Sequence, residues 1–262
     1  MNKLLYLPGL LFLLVTFFRV LLPILKTPAW KRLIDSARYE RVKKHPEKSD
    51  RLLLKAVEKF PEQPAVYLEY YLNHSDSGDL QSRFEILKKG WEKTKDTTLS
   101  FFIGSAFLEE GALEGASRHL ETEEVRDYIQ RKHVFLLPLL CRDQNRLKEA
   151  EEEFWNFHGV KKTNEKGKGE ALSAMSAQDI TPLALILRDQ NRDWRKIMAH
   201  APVKSVHSDM SWTDYRGQLE ESLDQLQEAR TGIFGSPERF NRKRRDFYRE
   251  RLDLIDEYMK NS

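Results

Sequence analysis

The pentapeptide Arg-Asp-Gln-Asn-Arg occurs twice in this chain, at positions 142–146 and 188–192. Each copy closes an apolar run opened by a proline: Pro138-Leu139-Leu140-Cys141 in one case, Pro182-Leu183-Ala184-Leu185-Ile186-Leu187 in the other. A duplicated segment behind a duplicated apolar run is either a chemical site used twice or a structural joint used twice. The second option constrains the fold strongly, because units repeated at a fixed period bury their apolar faces only by stacking on one another.

Apolar residues recur at helical spacing almost everywhere, and strand-like alternation of β-branched residues is absent. Leu53, Leu54, Val57 and Phe60 share one helix face that ends before Pro61. Helices over 65–74 and 82–91, separated by Ser75-Asp76-Ser77-Gly78-Asp79, form a predicted αα-hairpin. Further on, Gly104, Gly111, Ala116 and Leu120 set a pattern, and 34 residues after the last three stand Asn145, Ala150 and Phe154. In the other direction the same step reaches Ser77 beside Gly78, then Ser82 and Ile86. Turn residues fall where a turn is needed, small ones where helices cross, and apolar ones where they pack.

This spacing resembles the tetratricopeptide repeat, a helix-turn-helix unit of about 34 residues. Gly104, Gly111 and Ala116 match its small residue in helix A, its turn glycine and its alanine in helix B. A second unit, about 131–164, keeps Ala150 and Phe154 but has Pro138 at the small helix A position, which predicts a kinked or shortened helix. A third, about 63–96, fits with a one-residue slip. The resemblance covers roughly residues 50–202 and implies a stack of antiparallel helix pairs whose A helices offer a concave wall to a peptide or partner helix.

Within that register, Asn145 and Asn191 take the place of Gly111. This is the residue after helix A, where a left-handed backbone suits glycine and, next best, asparagine. The arginines flank a helix C-terminus, where the macrodipole favours cations. The pentapeptide therefore reads as a capped joint. Asn145 and Asn191 stand 46 positions apart, more than one repeat, and the excess falls in a polar, glycine-bearing stretch predicted as a loop insertion, about 161–176. A fourth hairpin follows over 177–190 and 194–201, with Lys196 where helix B normally has a small residue. Two last helices, over 211–230 and from Ser236-Pro237-Glu238 through Met259, read as a terminal cap over 203–262, the last with Phe240, Phe247, Leu254 and Tyr258 on one side.

The N-terminus differs from all of this. Residues 4–25 are apolar apart from Pro8, Gly9, Thr16, Arg19 and Pro23, long enough to span a bilayer as a helix. A cleaved signal peptide would use Thr27-Pro28-Ala29 as its cut site, but the apolar run is long for that role. After the run come Lys26, Lys31, Arg32, Arg38, Arg41, Lys43, Lys44 and Lys48, against Asp35, Glu40 and Glu47. The positive-inside rule then predicts an uncleaved anchor over 1–26, a basic juxtamembrane helix over 27–50, and a cytoplasmic body. The expected fold class is all-α: an N-terminal transmembrane helix, a tetratricopeptide-like solenoid over 51–202, and a C-terminal capping helix pair. The single cysteine, Cys141, excludes an intrachain disulfide and fits a reducing compartment.

No catalytic motif emerges. Gly167-Lys168-Gly169 lacks the spacing and the preceding strand of a phosphate-binding loop. Cys141, with His133 or His158 as a base, could be a nucleophile, but its register position favours core filling. The seven histidines show no metal-ligand spacing. The reading is therefore a non-enzyme needing no cofactor: a membrane-anchored scaffold that recruits a protein partner through its groove. The expected groove residues are Tyr67, Tyr71, His74, Phe101, Ser105, Lys132, Phe135 and Arg142; Thr98, Leu108 and Leu139 share the same wall. The alternative is RNA or anionic lipid on the basic run 239–251, centred on Arg242, Lys243, Arg244, Arg245 and Arg249, with only Asp246 and Glu250 opposing. The net charge of +3 is too small to imply nucleic acid by itself.

Overall fold

The computed structural model describes residues 27–73, 80–132, 135–160, 165–200, 212–224 and 237–260. Among these residues every regular element is an α-helix. The chain forms two compact units, residues 1–78 with 85–94, and residues 79–84 with 95–262.

In the first unit, α1 (Ala29–Val42) pairs with α2 (Pro46–Lys59), and both contact α3 (Pro64–Leu72). Prolines in the first turns of α2 and α3 cost no hydrogen bond there and favour helix initiation. Ile34, Ala37, Leu53, Ala56 and Val66 form the apolar interior. Beside them Arg38 donates to both oxygens of Glu69, at 2.8 and 2.6 Å. The amide of buried Asn73 accepts from Ser49 at 3.2 Å and donates to Asp50 at 2.6 Å. The basic stretch after residue 26 is thus the opening member of a helix pair, so pairing starts earlier than the repeat spacing indicates. Residues 85–94 of α4 (Leu80–Thr94) complete this unit, and Leu87, one position beyond Ile86, is the fully buried residue, as the one-residue slip requires.

The second unit carries α5 (Thr97–Glu109), α6 (Leu113–Leu120), α7 (Glu123–Lys132), α8 (Leu137–Asp143), α9 (Leu147–Phe157), α10 (Glu165–Ala174), α11 (Ala177–Asp189), α12 (Trp194–Met198), α13 (Trp212–Asp224) and α14 (Pro237–Lys260). Neighbours pair as α5 with α6, α8 with α9, α11 with α12, and α13 with α14, while α6 packs on α8 and α9 on α11. This is a helical-repeat-like, all-helical fold built from adjacent packed pairs. Ala116 and Ala150, the small residues of helix B, are wholly buried, as are Leu120 and Phe154 one turn later.

Helix ends are set by local chemistry. Asp96 caps α5 by accepting from the amides of Thr98 and Leu99 at 2.9 and 3.1 Å. Ser176 and Asp179 form a reciprocal capping box at the start of α11. The three joints share one geometry: Gly111, Asn145 and Asn191 have φ of 70°, 61° and 56°. At each, two backbone amides reach back into the helix, for example Asn145 to the Arg142 carbonyl and Arg146 to the Cys141 carbonyl, both 2.8 Å. That pair of bonds is the Schellman motif, and it needs a left-handed residue. Asn145→Ala is expected to destabilise the fold by about 1 kcal/mol, with Asn145→Gly neutral or slightly stabilising, read as urea midpoints.

Two expectations require correction. Among the described residues no helix is long and apolar enough to cross a membrane. The expected span over 4–25 lies outside the described residues, so the fold established here is the helical body without a transmembrane helix. Next, the stretch predicted as a loop over 161–176 contains α10, because Leu172 and Met175 are buried in the main core and that burial outweighs the low helix propensity of Gly167 and Gly169. By contrast the shortening predicted from Pro138 is present: α8 is only 7 residues long with the proline in its first turn, and α7 is an additional helix before it that the repeat spacing did not include.

Candidate partner-binding site

Each residue of the duplicated pentapeptide has a contact of its own. The asparagine supplies the left-handed turn. The glutamine before it bonds to the preceding pair: Gln144 donates to the Leu113 carbonyl at 3.3 Å, and Gln190 to the Leu147 carbonyl at 2.8 Å. Leu113 and Leu147 are the first residues of α6 and α9, so one side-chain bond recurs from pair to pair. The closing arginine steadies that glutamine, Arg146 on Gln144 and Arg192 on Gln190, both 2.7 Å, and also meets acids of helix B: Arg146 bonds Glu149 and, at 2.8 Å, Glu121, and Arg192 bonds Glu151.

The opening arginine of each copy, and the aspartate of the first, turn towards α14. Arg142 donates to both carboxylate oxygens of Glu250, one at 2.8 Å, and its Nε donates to Asp189 at 2.7 Å. Arg188, from the second copy, reaches the same Glu250 at 3.3 Å. Asp143 accepts from Lys243 at 2.6 Å, and the Lys243 stem lies over Gly111, where an added Cβ would sit 3.2 Å from its Cδ. The helix α14 therefore crosses the C-terminal ends of α5, α8 and α11 and is fastened to their joints. Beyond the joints its second half enters the core: Leu254 and Ile255 are fully buried, and buried Arg251 lies 3.4 Å from the Phe247 ring centroid.

Between the middle of α14, from Lys243 to Asp253, and the helices beneath it lies a cleft of about 1080 Å³. Its apolar wall is Leu108, Leu136 and Leu139 with Ser105, faced by Phe247, and its rim carries Asp246, Arg249 and Asp253. An apolar floor with a charged rim is the composition of a surface that takes a side-chain-bearing segment.

The expected groove residues divide on this geometry. Ser105 and Arg142 line the cleft, as do Leu108 and Leu139 of the same predicted wall. Phe101 is buried against Phe102 and Tyr128, and Phe135 packs edge-on against Phe154 and Phe157. Lys132 is exposed and lies 6.0 Å from the Tyr128 ring, away from the cleft. In the first unit Tyr67 is buried with its hydroxyl donating to the Pro61 carbonyl at 2.9 Å, Tyr71 is half-buried, and His74 lies outside the described residues. Of the basic run, Lys243 is paired with Asp143 and Arg251 is buried, while Arg245 and Arg249 are exposed; the side chains of Arg242 and Arg244 lie outside those described. Sequence reasoning missed Asp143, Arg188, Phe247 and Glu250 as site residues. The signal for two of them was present: both pentapeptides place an arginine and an aspartate side by side at one end of the stack.

Burial alone would raise the Glu250 carboxyl, but the hydrogen bonds and charge of Arg142, with Arg188 and Arg251 nearby, outweigh it and hold the group below its ordinary 4.5. For Arg142 burial acts to lower the pKa and the bonds to Glu250 and Asp189 raise it. A carboxyl whose folded pKa is depressed contributes stability that is present above its ordinary value and lost as pH falls through the folded one. The urea midpoint is accordingly expected to drop as the pH is taken down through and below 4.5, with a shallower drop in Glu250→Gln. Cys141, buried in the core, has its thiol pushed up to about 11 by desolvation, the environment of an inert packing residue. No family model matches this chain, and no curated protein matches it.

Proposed function

We propose that this chain is a scaffold of tetratricopeptide type that holds a helix or peptide of a partner protein in the cleft between α5, α8 and α14. The observation that supports it best is that this face combines an apolar floor, a two-signed rim and a helix already laid across it. Helical-repeat stacks bind extended or helical segments along such faces. The alternative, RNA or anionic lipid on the basic run, has less support, since Lys243 and Arg251 are engaged within the fold.

The test places a photo-crosslinking residue at Ser105 or Leu139 in the living cell, with Glu220, exposed on α13, as the control. The reading predicts a discrete protein adduct from the two cleft positions and none from the control. Equal adducts at all three positions, or none, would contradict it. A filter-binding salt series separates the alternative: RNA affinity that falls steeply with salt would favour it.

A further inference from the structure

We infer that α14 stands in for the partner's own helix: the joints accept a helix presenting a carboxylate where Glu250 now sits, and the partner displaces α14, up to that residue, to reach them. This rests on the partner-binding reading above and adds both the chemistry of the partner and the means of control. Two guanidinium groups, from the two copies of the pentapeptide, converge on one carboxylate. Arg142 is only 11% exposed and presents both terminal nitrogens to both oxygens, the forked arrangement that reads a carboxylate bidentately. A pair of aimed arginines, Arg142 largely desolvated and Arg188 half-buried, is an acceptor for an acidic side chain, from whichever helix brings it.

The fastening of α14 is graded along its length. Its second half has Leu254 and Ile255 in the core, with buried Arg251 beside them. Its first half is tied to the joints by Lys243 on Asp143, a pair whose two side chains are 34% and 30% exposed. Next along, Phe247 is 40% exposed above the cleft. Tyr248 is partly covered against the core, but a half-exposed ion pair is worth little, so this half is the part a competing helix can lift. The competitor needs apolar side chains for Leu136 and Leu139 and an acid for Arg142 and Arg188.

The test uses the full chain and two fluorescent peptides. One copies residues 239–253; the other is identical but carries glutamine in place of its Glu250. The host is the double variant Lys243→Glu, Glu250→Gln, whose own helix has lost both fastenings. The acidic peptide is expected to bind the double variant at least about tenfold more tightly than the unaltered chain, and at least about tenfold more tightly than the glutamine peptide. Hydrogen exchange at residues 243–249 should rise in the variant while that at 254–258 stays slow. Should the double variant lose its helical signal, Lys243→Glu alone gives the same comparisons at about threefold. Faster exchange without peptide binding, or equal binding of both peptides, would overturn the carboxylate acceptor. Unchanged exchange would overturn the displaceable helix. Failure here together with crosslinks from Ser105 and Leu139 would mean that a partner reaches the cleft without moving α14, which leaves the scaffold reading standing.

Discussion

Gly104→Leu is expected to lower the unfolding free energy by about 4 kcal/mol or more, enough to abolish folding at physiological temperature. Gly104 lies in α5 where α6 crosses it, and a Cβ there would meet Leu120 Cγ at 2.6 Å, Leu120 Cδ2 at 2.7 Å and His119 Cβ at 3.0 Å. Leu120 is fully buried and sits in a cluster with Phe101, Ala116, Val125 and Ile129, so it has no room to retreat. A single methyl, Gly104→Ala, sets two effects against each other. Helix propensity gains about 1 kcal/mol, and overpacking costs about 1–3. The clash should win, because three heavy atoms are at or inside 3.0 Å, giving a net loss of about 1–2 kcal/mol by urea titration. Leucine has no such compromise and must push α5 and α6 apart.

Arg142→Ala is expected to cost about 2–3 kcal/mol, more than other surface arginines of the chain. Breaking a buried ion pair by removing one partner typically costs about 3–5 kcal/mol, since the other charge is left desolvated. Here the value is lower because Glu250 keeps Arg188 at 3.3 Å and is 31% exposed. Arg142→Lys should recover less than half of the loss. Arg142 bonds Asp189 through Nε and Glu250 through its terminal nitrogens, and a point-like ammonium cannot hold both directions at once. By contrast Arg118→Ala, which removes an i,i+4 pair with Glu114 on the open face of α6, should change stability by no more than about 0.5 kcal/mol.

Much of the helical architecture was legible because it is local. The left-handed turns at Asn145 and Asn191 follow from residue type and from their place after an apolar run. The buried crossings at Ala116 and Ala150 follow from the repeat spacing. What was not legible is set by distance. Glu250 lies 108 positions from Arg142, so helical periodicity, which reports neighbours three and four residues apart, cannot connect them. The same limit applies in part to the face of α14: of Phe240, Phe247, Leu254 and Tyr258, which share a side by periodicity, Leu254 is buried and Tyr258 packs on the core, whereas Phe247 is 40% exposed and Arg251 and Ile255 are buried instead; the side chain of Phe240 lies outside those described. α10 was hidden by its glycines, whose propensity argues for a loop while Leu172 supplies the burial that overrides it. Of the expected groove, Ser105 and Arg142 reached the cleft, and Phe101 and Phe135 went to the interior. Ring size and hydrophobicity favour either fate, and only the neighbours decide.

The central claim is that the repeated joints clasp α14 through the carboxylate of Glu250. A double-mutant cycle measures this most directly: unfolding free energies of the parent chain, Arg142→Ala, Glu250→Ala and the double variant. The clasp predicts a coupling of about 1.5–3 kcal/mol, the double variant being much less destabilised than the sum of the single losses. Additive losses, with a coupling within about 0.3 kcal/mol of zero, would show that the two residues do not hold each other and would contradict the account.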